Sequence, residues 1–301
     1  MPKTKTIREL HSAHPPLPES PVTYPPIIHL IRAAFQLGGR LAPGAAARQT
    51  YRLFSTPRIR ARHRQSDPLL ESAELFEFLY GKLLLKGYRW GRGERTALLV
   101  HGWESRGTAL RHFVPGLLEA GYEVVAFDGP AHGHSAGRQT NIVHFAGAIQ
   151  ALWQRIGGAD ALIAHSFGGS AASVALQRLQ EPLSKMVLIA VPDSMKRVLL
   201  EACDTLGVPG PARQLFLKLL EQRVNIPVPE AYNHHFGLQS RIGEVLIVHD
   251  RRDPAVPFSE GESLLRHWPV AELLASNGYG HFQLMKNPDI QQAVADFLAQ
   301  G

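Results

Sequence analysis

A single cysteine, Cys203, stands among 301 residues, which excludes an internal disulfide and any demand for an oxidising compartment. Nowhere does an apolar run approach the roughly 20 residues needed to span a bilayer. The first 26 residues lack the apolar stretch of a secretory leader, so a cytoplasmic location is expected. No Cys-rich or carboxylate-rich ligand set accompanies the histidines, and neither a metal nor a cofactor is expected. Acidic residues are scarce at one end: residues 1–66 hold eleven Lys and Arg against two Asp and Glu, whereas 67–301 hold 21 against 24. The formal charge of +6 therefore belongs to the N-terminal part, and the remainder is near neutral. With no interleaved aromatics and no nucleic-acid-binding signature, a nucleic-acid partner is not expected.

What is present is a regular alternation of apolar runs and helical patterns. Strands are expected at 75–80, 82–88, 96–101, 122–127, 160–164, 186–190, 244–249 and 271–276. Between the later ones, helices are expected near 107–120, 139–157, 168–180, 259–267 and 288–300. Runs such as Val124–Phe127 and Met186–Ala190 are apolar throughout, which requires burial on both faces and so a doubly wound, mainly parallel sheet of α/β class.

One stretch organises the rest. Asp160–Ala164 runs into His165-Ser166-Phe167-Gly168-Gly169, followed by a small-residue helical pattern to Leu179. Strand, sharp turn and helix put the Ser166 hydroxyl at the apex, above a helix N-terminus. The pattern is Gly-x-Ser-x-Gly with Ala164 in place of the first glycine. A serine nucleophile needs a base, an orienter for that base and donors for an oxyanion. The strand at 96–101 ends in His101-Gly102-Trp103; the strand at 244–249 is followed by Asp250 and Asp253; and Gly278–Phe282 carries His281 on a glycine-rich loop. The acid can be Asp250 or Asp253, with Asp128 a poorer third because it follows the wrong strand. His132 and His134, in Asp128–Ser135, read as part of a turn rather than a metal pair.

These marks together resemble the α/β-hydrolase family over roughly residues 83–300. The resemblance implies a serine hydrolase in which Ser166 is the nucleophile, His281 the base and Asp253 the acid. It also implies an oxyanion hole built from the backbone N–H groups of Trp103 and Phe167. The expected reaction is cleavage of a carboxylic ester or thioester, with a small acyl ester as substrate. Acyl transfer, or cleavage of a carbon–carbon or peptide bond, is open to the same residues. A non-catalytic binding or membrane-associated protein is the rival from another class.

Some fifty residues separate the strands ending at Ala190 and starting at Glu244, too many for one crossover. Ser194 can cap a helix stopped by Gly207, and Pro211 suits the first turn of another reaching Val224. This is read as a small helical cap at about 193–232, with Leu215, Phe216 and Leu219 lining a substrate pocket. Upstream, 1–26 is read as a disordered Pro-rich lead-in, and 27–66 as a basic helical extension leading into a hydrolase domain at 67–301. The extension carries helices at Ile27–Leu41 and about Ala45–Phe54, then the arginine-rich run from Arg58 to Arg64. It is read as packing on the body, with peripheral membrane contact through 27–64 as the alternative.

Overall fold

In the computed structural model, which describes residues 5–14, 27–61 and 67–300, the apolar runs and one short exposed strand form a nine-stranded sheet. The strands are β1 Ile7–Glu9, β2 Glu74–Tyr80, β3 Leu83–Trp90, β4 Arg95–Val100 and β5 Tyr122–Phe127, then β6 Ala161–His165, β7 Pro182–Ile189, β8 Arg241–Asp250 and β9 Ala271–Ser276. Their order is β1-β9-β8-β7-β6-β4-β5-β3-β2. Pairing is parallel from β5 through β4 to β9 and β1, and antiparallel only at the β2–β3–β5 end.

Both faces of the central strands are covered, as their continuous hydrophobicity requires. Along β4, Leu98 and Val100 face one core with Phe145, Ile149 and Leu152, while Ala97 and Leu99 face another with Leu110, Ile290 and Val294. The chain reverses direction across the sheet between β4 and β6, which sit side by side with β5 on the far side of β4. Ligand-binding loops of open α/β sheets gather at the strand C-termini near such a switch point.

The lead-in differs from expectation. Residues 5–14, within the segment read as disordered, extend the sheet: β1 pairs in parallel with β9, and the N–H of Leu10 donates to Ala275 O at 2.8 Å. All three β1 residues are exposed, so no hydrophobic pattern announces the strand. It is held by main-chain bonds to an edge that only the folded sheet creates, and by the Glu9–Arg251 ion pair. The remainder of that lead-in lies outside the described residues, as does the 62–64 part of the arginine run.

After β7 the chain rises into helices Met195–Leu206 and Gly210–Val224. The Ser194 hydroxyl accepts the N–H of Arg197, and Gly207 ends the first helix at φ 69°. The two ends of the excursion are tied at its root: Ser194 bridges Tyr232, and the Glu260 carboxylate accepts the N–H groups of Asp193 and Ser194 at 2.8 Å each. The buried Asp193 carboxylate takes the His234 Nδ1–H at 2.8 Å.

The helices Ile27–Leu41 and Pro43–Ser55 pack against these two. Phe35, Ala46 and Ala47 share a third hydrophobic cluster with Leu199, Cys203, Ala212, Phe216 and Leu220. Phe54 meets Phe216 edge-on at 6.0 Å. Further along, Arg58 pairs with Glu104 at 3.2 Å, and Arg60 donates to Ser135 O at 3.2 Å and to Gly137 O. The cap is thus four helices, two of them from the N-terminal extension.

Candidate active site

Ser166 follows β6 at φ 52° and ψ −126°, a conformation that L-residues rarely adopt and that costs about 1–3 kcal/mol. The helix Phe167–Leu179 starts immediately after it, and the serine hydroxyl makes no capping bond to that helix. The turn is close-packed. A Cβ on Gly168 would lie 2.3 Å from His101 O, and one on Gly102 would lie 2.9 Å from His165 Nδ1. Freed from capping, the Ser166 Oγ lies 3.0 Å from His281 Nε2.

His281 is buried on the loop after β9, and its Nδ1 lies 2.8 Å from Asp253 Oδ2. A carboxylate only accepts, so Nδ1 carries the proton and Nε2 accepts from the serine. The other Asp253 oxygen receives the N–H groups of Ala255 and Val256 at 2.8 Å each. Burial pushes the Asp253 pKa up, but the His281 bond and charge and these two amides outweigh it and hold the carboxyl below its ordinary value.

Asp250, the alternative acid, makes no bond to the imidazole. Its carboxylate accepts the N–H groups of Gly278 and Tyr279 at 3.0 and 2.9 Å, the Ser276 hydroxyl at 2.7 Å and the Arg252 N–H at 2.9 Å. It fixes the loop that carries His281. Asp128 is likewise committed elsewhere, to the N–H groups of Gly107 and His134 and the Tyr88 hydroxyl.

Trp103 and Phe167 flank the serine, their rings meeting edge-on at 5.2 Å. Phe167 is the first residue of its helix, so its N–H has no intrahelical acceptor. The turn after Trp103 is fixed from behind by a residue that sequence reasoning set aside: His132 Nε2 accepts the Glu104 N–H at 3.1 Å, while its Nδ1–H donates to Pro130 O at 3.0 Å. Both ring nitrogens are engaged. His101 accepts the Gly129 N–H, and His165 Nε2–H donates to the carbonyl of His281 at 3.0 Å, tying the elbow to the histidine loop. The sequence reading placed His132 in a turn, and its bonds to Glu104 and Pro130 show what it holds there.

These supporting imidazoles are buried and neutral. Burial lowers His101 from 6.5 to about 4, His132 to about 3 and His165 to about 3. Their folded values lie below the unfolded one, so on acidification the unfolded chain takes up protons first. Stability is whole above 6.5 and drains away as pH falls toward about 3. Calorimetry should show the melting temperature falling steadily between about pH 7 and pH 4, with more than one proton taken up on unfolding. A melting temperature independent of pH over that window would mean that these rings are charged in the folded state.

The cleft over Ser166 is where the sequence reading needs correction. Leu215, Phe216 and Leu219 do not line it: Leu215 is 42% exposed, and Phe216 is fully buried in the cluster beneath the N-terminal helices. The walls around Ser166, Phe167 and His281 are instead Ile28, Ile31, Leu53 and Phe54 of the N-terminal helices, with Met195 and Val198 of the cap. An apolar branch continues from it behind Phe54, Phe167, Met195 and Val198, walled further in by Leu199, Leu220, Val224 and Phe236. Of the three expected residues, Phe216 alone is on the buried face of the helix Gly210–Val224. Its 212–216–220 face meets the N-terminal helices, a surface invisible without the tertiary structure.

The model of the alpha/beta hydrolase family matches residues 97–298. Among curated proteins, none matches the sequence. Of solved structures, an esterase of Pyrococcus furiosus is similar at TM-score 0.61 and 18% identity, over 81% of this chain and 96% of that one. A bromoperoxidase of Bacillus anthracis is similar at TM-score 0.58 and 17% identity, over 75% of this chain and 100% of that one. An esterase of Exiguobacterium antarcticum is similar at TM-score 0.57 and 16% identity, over 74% and 99%. At these identities the likeness is one of fold.

Proposed function

The chain belongs to the alpha/beta hydrolase family, and from that premise we propose that it cleaves carboxylic esters or thioesters of aliphatic acids through an acyl-enzyme on Ser166. The observation that carries this reading is the unbroken relay from Ser166 Oγ to His281 Nε2 at 3.0 Å and from His281 Nδ1 to Asp253 at 2.8 Å. His281 takes the serine proton as Oγ bonds to the acyl carbon, and Asp253 stabilises the imidazolium. The N–H groups of Trp103 and Phe167 receive the oxyanion. The alcohol or thiol leaves with the proton from His281. A water then gives its proton to the same nitrogen and releases the acid.

The acyl chain enters the apolar branch, whose lining is aliphatic and aromatic apart from Asn141. Turnover of p-nitrophenyl esters of increasing chain length tests the reading, and activity on none of them would overturn it. Val198, half-buried where cleft and branch meet, is the position to block. Val198→Trp should leave acetate turnover near wild type and lower kcat/KM for octanoate more than tenfold. Leu215→Ala, on the exposed face, should change neither. Equal loss on both esters in the tryptophan variant would place the acyl chain elsewhere.

A further inference from the structure

The helix Ile27–Leu41 has two apolar faces, and among the described residues only one of them has a partner. Ile28, Ile31 and Phe35 turn toward the cleft and the cap cluster. On a second face, about 120° around the helix, Leu30, Ala34, Leu37 and Leu41 fall within roughly 60° of one another at 100° per residue. Leu30 is 72% exposed, Leu37 66% and Leu41 78%, among the most exposed large apolar residues of the described chain, with Leu75 and Leu79 of the sheet edge. Three leucines bare to water on one stripe are a cost that a partner would remove.

The charge around the stripe says which partner. From Ile27 to Ala61 there are six arginines and no Asp or Glu. Arg58 and Arg60 are used on the body. Arg40 flanks the stripe, and Arg48 and Arg52 follow on one face of the next helix; all three are exposed, and no carboxylate of the described residues pairs with them. Bare leucines and unpaired arginines on two consecutive helices without an acid fit an anionic lipid surface, where leucines enter the acyl boundary and guanidinium groups meet phosphates. Among the described residues no helix is long and apolar enough to cross a membrane, and a two-faced helix of this length suits the interface plane.

We infer that the Leu30–Leu37–Leu41 face, with Arg40, Arg48 and Arg52, docks this protein onto anionic membranes. The inward side of the same helix walls the cleft, so an ester held in the bilayer would meet the cleft at its rim. Flotation of the full chain with phosphatidylcholine vesicles, with and without phosphatidylserine, tests this without requiring turnover.

The wild type should float with the anionic vesicles, less so as salt rises, and little with the neutral ones. Replacing Leu30, Leu37 and Leu41 together by Gln should lower partitioning on the order of tenfold or more. Changing Arg40, Arg48 and Arg52 to Gln should lower it by about fivefold per arginine on anionic vesicles alone. Both sets should keep wild-type melting and turnover of a soluble ester, since neither touches the cleft. No flotation of the wild type, or equal flotation of the leucine variant, would overturn the inference. So would a dimer in light scattering that the leucine variant abolishes, for the stripe would then seat a second copy.

Discussion

Ser166→Ala should lower kcat for ester hydrolysis by on the order of 10⁵–10⁶ and abolish labelling by an organophosphonate. The hydroxyl is committed to one bond, to His281 Nε2 at 3.0 Å, and makes no cap to the helix below it. Removing it therefore takes away the nucleophile and no bond that supports the elbow. Melting should stay close to wild type, because alanine suffers the same φ of 52° as serine. Ser166→Gly supplies the contrast: glycine adopts that backbone freely, so the glycine variant should be equally inactive but more stable, by about 1 kcal/mol. Continued turnover or labelling in the alanine variant would remove Ser166 from the chemistry. A glycine variant less stable than the alanine one would show that the elbow stores no strain.

The second large effect separates two acids three residues apart. Asp253→Asn should lower kcat by about 10⁴, because an amide in place of Oδ2 can donate to Nδ1 and favour the tautomer that blocks Nε2 from the serine proton. Asp250→Asn should act differently. Four donors converge on that carboxylate, two of them the backbone N–H groups of Gly278 and Tyr279 just before His281. An amide oxygen retains part of that set, so kcat should fall by about tenfold or less while the melting temperature drops by several degrees. The pairing of a kcat loss with one variant and a stability loss with the other is what a positioning role for Asp250 requires. A larger kcat loss for Asp250→Asn, with melting unchanged, would transfer the orienting role to it.

Much of this architecture is local and therefore readable from the chain. Strands such as Leu98–Val100 or Val187–Ile189 are apolar at every position because helices cover both faces. The elbow is marked in consecutive residues by Gly168 and Gly169, where the helix start passes within a Cβ of the chain at the ends of β4 and β7. Ser194, Gly207 and Pro211 mark helix ends through capping chemistry that depends on a few neighbouring atoms. Sequence alone thus determined the α/β class, the parallel strands and the serine at the apex of a strand–turn–helix.

What it could not determine depends on which distant surfaces meet. Leu215, Phe216 and Leu219 are as apolar as any pocket lining, and nothing within their helix says that the 212–216–220 face would be claimed by Phe35 and Phe54. The cleft walls follow from that contact, which places Ile28, Ile31 and Leu53 over Ser166 from more than a hundred residues upstream. The strand Ile7–Glu9 carries no hydrophobic pattern, because its pairing rests on main-chain groups of an edge that exists only after β9 is in place. Which acid reaches His281 is set by the path of one loop, whose amides turn Asp253 inward while Asp250 is consumed by the neighbouring turn. Periodicity and capping are written in consecutive residues; partners for a face, an edge or a carboxylate are chosen by tertiary packing.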